Sequence, residues 1–122
     1  MVAAGGALGS LMRYAMQGCV QRLSGSMFPF GTLAVNLTSC LVIGLLAGMF
    51  AGPQLIREEY RIGLAVGVLG GYSTFSTFGL ESFNLANDGE FRLALLNMFV
   101  SCALGFVAVW LGYRISERWF GV

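Results

Sequence analysis

Residues 70–78 read Gly-Gly-Tyr-Ser-Thr-Phe-Ser-Thr-Phe, and they interrupt an apolar segment that otherwise has the composition of a membrane helix. Two adjacent glycines weaken a helix because glycine loses more backbone freedom on folding than any other residue. Four of the five residues after Tyr72 carry hydroxyl groups, which bond to the backbone and compete with helical hydrogen bonds. Irregular backbone inside a bilayer is tolerated only where protein or a water-filled cavity surrounds it. The stretch therefore predicts a broken helix at membrane depth, from which transport proteins build ion sites.

The composition predicts a membrane protein. Of 122 residues, 57% are hydrophobic and only 11% are charged, whereas soluble domains carry roughly 25% charged residues. The net charge of +1 indicates no nucleic-acid partner. The chain has no histidine, the commonest general base and metal ligand. We expect a multi-pass protein of the cell membrane.

No basic segment typical of a cleaved signal precedes the first apolar segment, and that segment begins so close to Met1 that a few preceding residues are expected to be missing.

Four apolar segments predict four transmembrane helices in one domain spanning residues 1–122. The segments cover about residues 2–23, 30–51, 60–83 and 91–113, and each is long enough to span a bilayer with roughly 20 residues. Turn signals separate them, among them Gly52-Pro53 and Asn87-Asp88-Gly89. Small residues recur at four-residue spacing, which lets membrane helices approach closely. Four short spans enclose little interior, so we expect a homo-oligomer, most often a two-fold dimer.

Three polar side chains at membrane depth have two interpretations each. Insertion of an arginine at the centre of a membrane helix costs about 2.5–3.5 kcal/mol, which favours an Arg13 side chain that faces protein or water. Alternatively, Arg13 snorkels to the membrane interface. Asn36 either joins two helices or presents its amide NH₂ group to an anion. Glu81 is either an interfacial carboxylate or part of a permeation route.

The three cysteines and the seven arginines give weaker signals. Cys19, Cys40 and Cys102 lie in predicted spans without metal-binding spacing, so we interpret them as small packing residues. An even number of spans places the loop after span 2 and the chain's end on one side of the membrane. Four arginines then lie on that side and two on the other, a mild bias that leaves insertion in either orientation open. The first group is Arg57, Arg61, Arg114 and Arg118, and the second is Arg22 and Arg92.

The motif at residues 70–78, followed by Glu81, resembles the Fluc/CrcB family of fluoride channels. Two further stretches match that family: Gly-Ala-Leu-Gly-Ser-Leu-Met-Arg-Tyr at residues 6–14 and Gly-Thr-Leu-Ala-Val-Asn at residues 31–36. The resemblance covers essentially all 122 residues. Ser73 departs from the family, which often has threonine there, and Asn97 departs from members that have tyrosine.

The resemblance implies an all-α fold of four transmembrane helices with a broken third helix, paired as an antiparallel, dual-topology homodimer. It also implies one structural, non-transported sodium ion at the dimer centre, held by the backbone carbonyls of Gly70 and Ser73 from both subunits. Because carbonyls bind the ion, serine in place of threonine at position 73 should matter little.

The same resemblance implies two fluoride pores per dimer. Phe75 and Phe78 match phenylalanines whose ring edges face fluoride, and Asn36 matches a pore-lining asparagine. An aromatic ring has a positive edge, which suits a small anion. The family's polar track is matched by Ser76, Thr77 and Glu81. Ser101 matches a hydroxyl of span 4, and Arg13 matches a vestibule arginine.

We therefore expect a passive channel, not an enzyme, that exports fluoride and so reduces its toxicity. Its partners would be fluoride, a second copy of the chain and membrane lipid. One alternative is a small proton-coupled multidrug exporter, which needs a carboxylate within the membrane; span 1 carries Arg13 and no acid. A second alternative is a non-transporting assembly subunit in which the glycines only pack helices.

Overall fold

A computed structural model describes residues 2–51 and 57–120, and these are helical apart from short connections. The first two helices are α1 (Val2–Ser24) and α2 (Phe30–Ala51). The third apolar segment forms α3 (Glu58–Ile62), a π-helical segment (Gly63–Val68), α4 (Leu69–Tyr72) and α5 (Phe75–Asn87). The chain ends with α6 (Phe91–Phe120). The described ranges contain no strand, so the prediction of an all-α protein is confirmed, while the predicted turn at Gly52-Pro53 lies outside them.

Three helical stretches are long and apolar enough to cross a membrane. They are Phe30–Met49, Glu59–Asn87 and Phe91–Trp119, with mean hydropathies of 1.9, 1.2 and 2.1. Among the described helices, α1 does not meet the same measure, although it has 23 residues. Its glycine, glutamine and arginine residues lower its hydropathy, so a membrane-spanning α1 stays a prediction.

The helices pack through glycines that allow close backbone contact. A Cβ on Gly112 of α6 would lie 2.8 Å from the backbone nitrogen of Leu45 on α2. Ser116, fully buried on α6, donates its hydroxyl hydrogen to the carbonyl oxygen of Leu45. On the other side of the molecule, a Cβ on Gly71 of α4 would lie 2.6 Å from the carbonyl oxygen of Gly6 on α1. The small residues that recur in the sequence therefore lie where helices contact each other.

Substitution of Gly71 by alanine should destabilise the protein. The added methyl group would press on the Gly6 carbonyl, and overpacking of this kind costs roughly 1–3 kcal/mol. Gly18→Ala is the matched control because no described atom outside its own helix backbone lies within 4 Å of the Cβ position there. Thermal unfolding in detergent should show a lower midpoint for Gly71→Ala only; equal midpoints for the two variants would contradict this packing.

The helical backbone stops between Tyr72 and Phe75. Ser73 has φ −93° and ψ 152°, and Thr74 has φ −145° and ψ 126°, so both residues are extended. The Thr74 hydroxyl oxygen then accepts a hydrogen bond from the backbone N–H of Thr77, at 3.4 Å, and caps α5. The interruption falls within the glycine- and hydroxyl-rich stretch. The π-helical segment before it was not predicted, because no sequence pattern distinguishes a π-turn from an α-turn.

The last helix continues beyond the predicted end of its span at residue 113. Charged residues begin there, but they are compatible with helix outside the lipid: Arg114 pairs with Glu117 at 3.3 Å, one turn along. The Arg114 guanidinium also lies 5.8 Å from the ring centre of Trp110. The charges can therefore mark where the chain leaves the bilayer without marking the end of the helix.

Candidate functional site

A cavity of about 260 Å³ lies beside the interruption. We call it the aromatic groove. It is bordered by α2, by the extended residues, by the first turn of α5 and by α6. Its lining residues are Asn36, Ser39, Cys40, Ser73, Thr74, Phe75, Phe78, Ser101 and Cys102. The fold thus brings together five predicted site residues that are up to 65 positions apart in the sequence, Asn36 and Ser101 being the extremes.

The two phenylalanines of the groove differ in exposure. Their ring centres are 5.7 Å apart and their planes are inclined by 52°, an arrangement typical of interacting aromatic rings. Phe78 is only 9% exposed, whereas Phe75 is 82% exposed. Among the described residues, the rest of the chain therefore leaves most of the Phe75 side chain uncovered.

A hydrogen-bonded relay fixes the hydroxyl that α6 contributes to the groove. Ser101 donates to the side-chain oxygen of Asn97 at 3.4 Å, and the Asn97 amide donates to the hydroxyl of Ser82 at 2.9 Å. Asn97 is 1% exposed, so its polar groups depend on these partners. From the sequence, the four-residue spacing already placed Asn97 on the same face of span 4 as Ser101. The bond from Asn97 to Ser82 on α5 was not predicted, because spacing within one helix does not show which neighbour that helix meets.

Glu81 does not line the aromatic groove. It borders a second, polar groove of about 350 Å³ with Gln17 and Gln21 of α1 and Asp88 at the end of α5. The Thr32 hydroxyl and, at 3.4 Å, the Gln17 amide both donate to the same Glu81 oxygen. Within one chain, Glu81 is therefore separated from the aromatic groove that holds Phe75 and Phe78.

Three further predicted site residues, Ser76, Thr77 and Arg13, line neither of these two grooves. The Ser76 hydroxyl is exposed and lies 3.0 Å from that of Thr74. Thr77 is half-buried, and its backbone N–H donates to the Thr74 hydroxyl oxygen that caps α5. Arg13 is half-buried on α1 and lines neither groove, so its vestibule role stays a prediction.

The end of α4 presents backbone carbonyls. The Ser73 N–H and hydroxyl both donate to the Leu69 carbonyl, at 3.1 and 3.2 Å, but the last carbonyls of a helix have no partner within it. Gly70 is exposed, and outside its own stretch of helix backbone the nearest described atom to its Cβ position is the Ala65 carbonyl oxygen, 4.0 Å away. The described residues contain no group of three or more His, Cys, Asp or Glu that could hold a metal. Carbonyl oxygens at a helix end are instead the donors that transporters use for sodium. The donor type at Gly70 and Ser73 suits that ion, and the sodium site itself stays a prediction.

Tyr72 anchors this carbonyl end to α2. Its ring is 6% exposed, and its hydroxyl lies 2.8 Å from the Thr38 hydroxyl. Thr38 directs its own hydrogen to the Ala34 or Val35 carbonyl, at 2.8 and 3.0 Å. Tyr72 is therefore the donor of the bond that joins α4 to α2.

Removal of this bond should loosen the end of α4. Tyr72→Phe keeps the ring and deletes the donor, and Thr38→Val deletes the acceptor. A double-mutant cycle on thermal unfolding in detergent should give a coupling energy of about 0.6 kcal/mol, the average for hydrogen bonds between membrane helices. Effects that simply add would contradict the bond.

These features define an all-helical, multi-pass membrane protein with a polar and aromatic groove beside a helix interruption. Residues 1–113 match the family model described as CrcB-like protein, Camphor Resistance (CrcB). The chain is 46% identical to the fluoride-specific ion channel FluC of Geobacter sulfurreducens, over 96% of this chain and 94% of that protein. It is 47% identical to fluoride-specific ion channel FluC 1 of Nitrobacter hamburgensis, over 93% and 90%, and 39% identical to FluC of Acidobacterium capsulatum, over 96% and 94%. The chain belongs to the CrcB family, which confirms the resemblance and the multi-pass membrane location.

Proposed function

We propose that the protein is a passive, fluoride-selective channel. Relatives that it matches over more than nine-tenths of its length are named fluoride-specific ion channels, and a channel of this family is not an enzyme. The observation that carries the proposal is the aromatic groove, which joins Asn36, Phe75, Phe78 and Ser101 beside an interrupted helix.

The groove has the chemistry for brief binding of a small anion. The Asn36 amide carries two N–H donors, and the positive edges of the phenylalanine rings add weaker attraction. Conduction requires sites that admit an ion and then release it. Amide and ring-edge contacts, with no arginine or lysine among the described lining residues, meet that requirement.

The open side of the groove supports a dimer. Phe75 is exposed in the single chain, so a second chain could pack against it, and two-fold dimers are the commonest homo-oligomers. The arginine bias between the two membrane sides is mild, so it permits pairing of oppositely inserted copies. We propose that α1 is the fourth membrane span of each chain. We also propose that the helix interruptions of the two chains meet near the two-fold axis.

A structural sodium ion is proposed between the two chains. Gly70 and Ser73 of each chain would supply carbonyl oxygens, and the bound charge would raise the local potential for anions. Purification with N-methyl-D-glucamine in place of sodium should lower the thermal midpoint of the dimer, because a ligand that binds only the folded state stabilises it. It should also stop fluoride efflux. Potassium at equal ionic strength is the control, and identical midpoints with and without sodium would contradict the ion's structural role.

Export is the direction expected under acid conditions. Hydrogen fluoride crosses membranes uncharged and ionises in the cytoplasm, which traps the anion; a passive channel lets it leave. Expression in a bacterium that lacks its own fluoride exporter should restore growth in fluoride, and the Asn36→Asp variant should not. Unchanged fluoride sensitivity with gained resistance to a cationic dye would instead support a multidrug exporter. Neither effect would support a non-transporting assembly subunit.

A further inference from the structure

Two of the chain's three cysteines line the aromatic groove. Cys40 is half-buried on α2, Cys102 is exposed on α6, and both are free thiols. Cys19 is an exposed free thiol on α1 and does not line this groove. The sequence spacing indicated packing residues only, because it could not show that α2 and α6 place two thiols in one cavity.

The Cys40 sulfur lies against the turn of α6 that carries Cys102. It is 3.5 Å from the Cβ position of Gly105. Gly105 follows Cys102 by three residues, so their Cβ positions are about 5–6 Å apart on one helix face. Gly105 has no side chain that could separate the two thiols.

Two thiols select a soft cation of low coordination number. Thiolate ligands favour Cu(I), whereas a structural zinc site needs four ligands. The described residues offer no group of three or more His, Cys, Asp or Glu for that purpose. Cu(I) and Ag(I) accept two sulfur ligands in a nearly linear arrangement. We propose that Cys40 and Cys102 together bind a soft monovalent cation and that the bound cation blocks the groove; the block, unlike the binding, rests on the proposed fluoride function.

The binding step needs no oxidant or reductant. Two thiols and one cation M⁺ give an S–M–S complex with one net negative charge, and two protons leave to water. Metal binding by thiols releases protons in this way. The complex would place both an obstacle and a negative charge where fluoride passes. Charges repel more strongly in a low-dielectric interior than in water, so conduction should stop.

Silver ion is the probe for the binding test. The full-length protein, carrying Cys19→Ser to remove the thiol outside the groove, is dialysed against silver nitrate in chloride-free detergent buffer. We expect one tightly bound silver ion per chain. Cys40→Ser or Cys102→Ser alone should weaken binding by about tenfold or more, equivalent to ~1.4 kcal/mol. Two silver ions per chain, bound independently, or unchanged affinity in either single variant, would overturn the two-thiol site.

The same variants in proteoliposomes test the block. Silver should stop fluoride efflux through the Cys19→Ser protein. It should leave efflux undiminished in the protein in which Cys40 and Cys102 are also serine. Each rate is compared with the rate of the same variant without silver. Binding by dialysis with undiminished efflux would overturn the block and leave the fluoride function standing. Absence of efflux before silver is added would overturn the proposed function, while dialysis would still decide the site.

Discussion

Replacement of Phe78 by isoleucine is expected to cut fluoride efflux by about tenfold or more, which corresponds to ~1.4 kcal/mol in the barrier. Isoleucine keeps much of the buried volume of this 9%-exposed side chain, but it has no positive ring edge. It also removes the ring contact with Phe75, whose ring centre lies 5.7 Å away. Selective loss of conduction would assign the ring an electrostatic role beyond packing.

Phe99→Ile is the matched control for this result. Phe99 is 74% exposed on α6 and does not line the aromatic groove. Both variants are reconstituted at equal protein density, and gel filtration verifies that each elutes as the wild type does. Equal efflux through Phe78→Ile and the wild type, with unchanged elution, would contradict the pore-lining role of Phe78.

Replacement of Asn36 by aspartate is expected to reduce efflux further, by about 100-fold or more, equivalent to ~2.7 kcal/mol. The two side chains have nearly the same shape, so packing of the half-buried position on α2 is preserved. Aspartate lacks both amide N–H donors, and its ionised form repels fluoride at close range.

Asn87→Asp controls for the general effect of an added carboxylate, because Asn87 is the exposed last residue of α5. A stopped-flow or electrode trace of fluoride efflux should show normal rates for this control. Near-normal rates for Asn36→Asp would show that the amide does not contact the permeating ion.

The sequence predicted the features that depend on local chemistry. The all-α class follows from apolar segments of membrane length, and α2 begins and ends where the pattern placed it, at Phe30 and Ala51. The extended residues Ser73 and Thr74 fall within the stretch where glycines and hydroxyls compete with the helix. These properties are set within a few residues of chain, so they can be read without knowledge of helix packing.

The sequence could not predict which side chains meet across helices. The bonds from Tyr72 to Thr38 and from Asn97 to Ser82 depend on the rotation of each helix about its axis. The separation of Glu81 into a second groove depends on the same rotations. They are set by close glycine contacts, such as that of Gly71 with α1. Several glycines recur on each span, and the sequence alone does not say which pair makes contact.

Fluoride and chloride efflux from proteoliposomes under identical gradients tests the central proposal most directly. Purified protein is reconstituted in sodium buffer, an ionophore carries the counter-ion, and ion-selective electrodes follow each halide. We predict rapid loss of fluoride and chloride retention indistinguishable from that of protein-free liposomes. Equal efflux of the two halides, or fluoride retention in the presence of sodium, would contradict a fluoride-selective pathway along the aromatic groove.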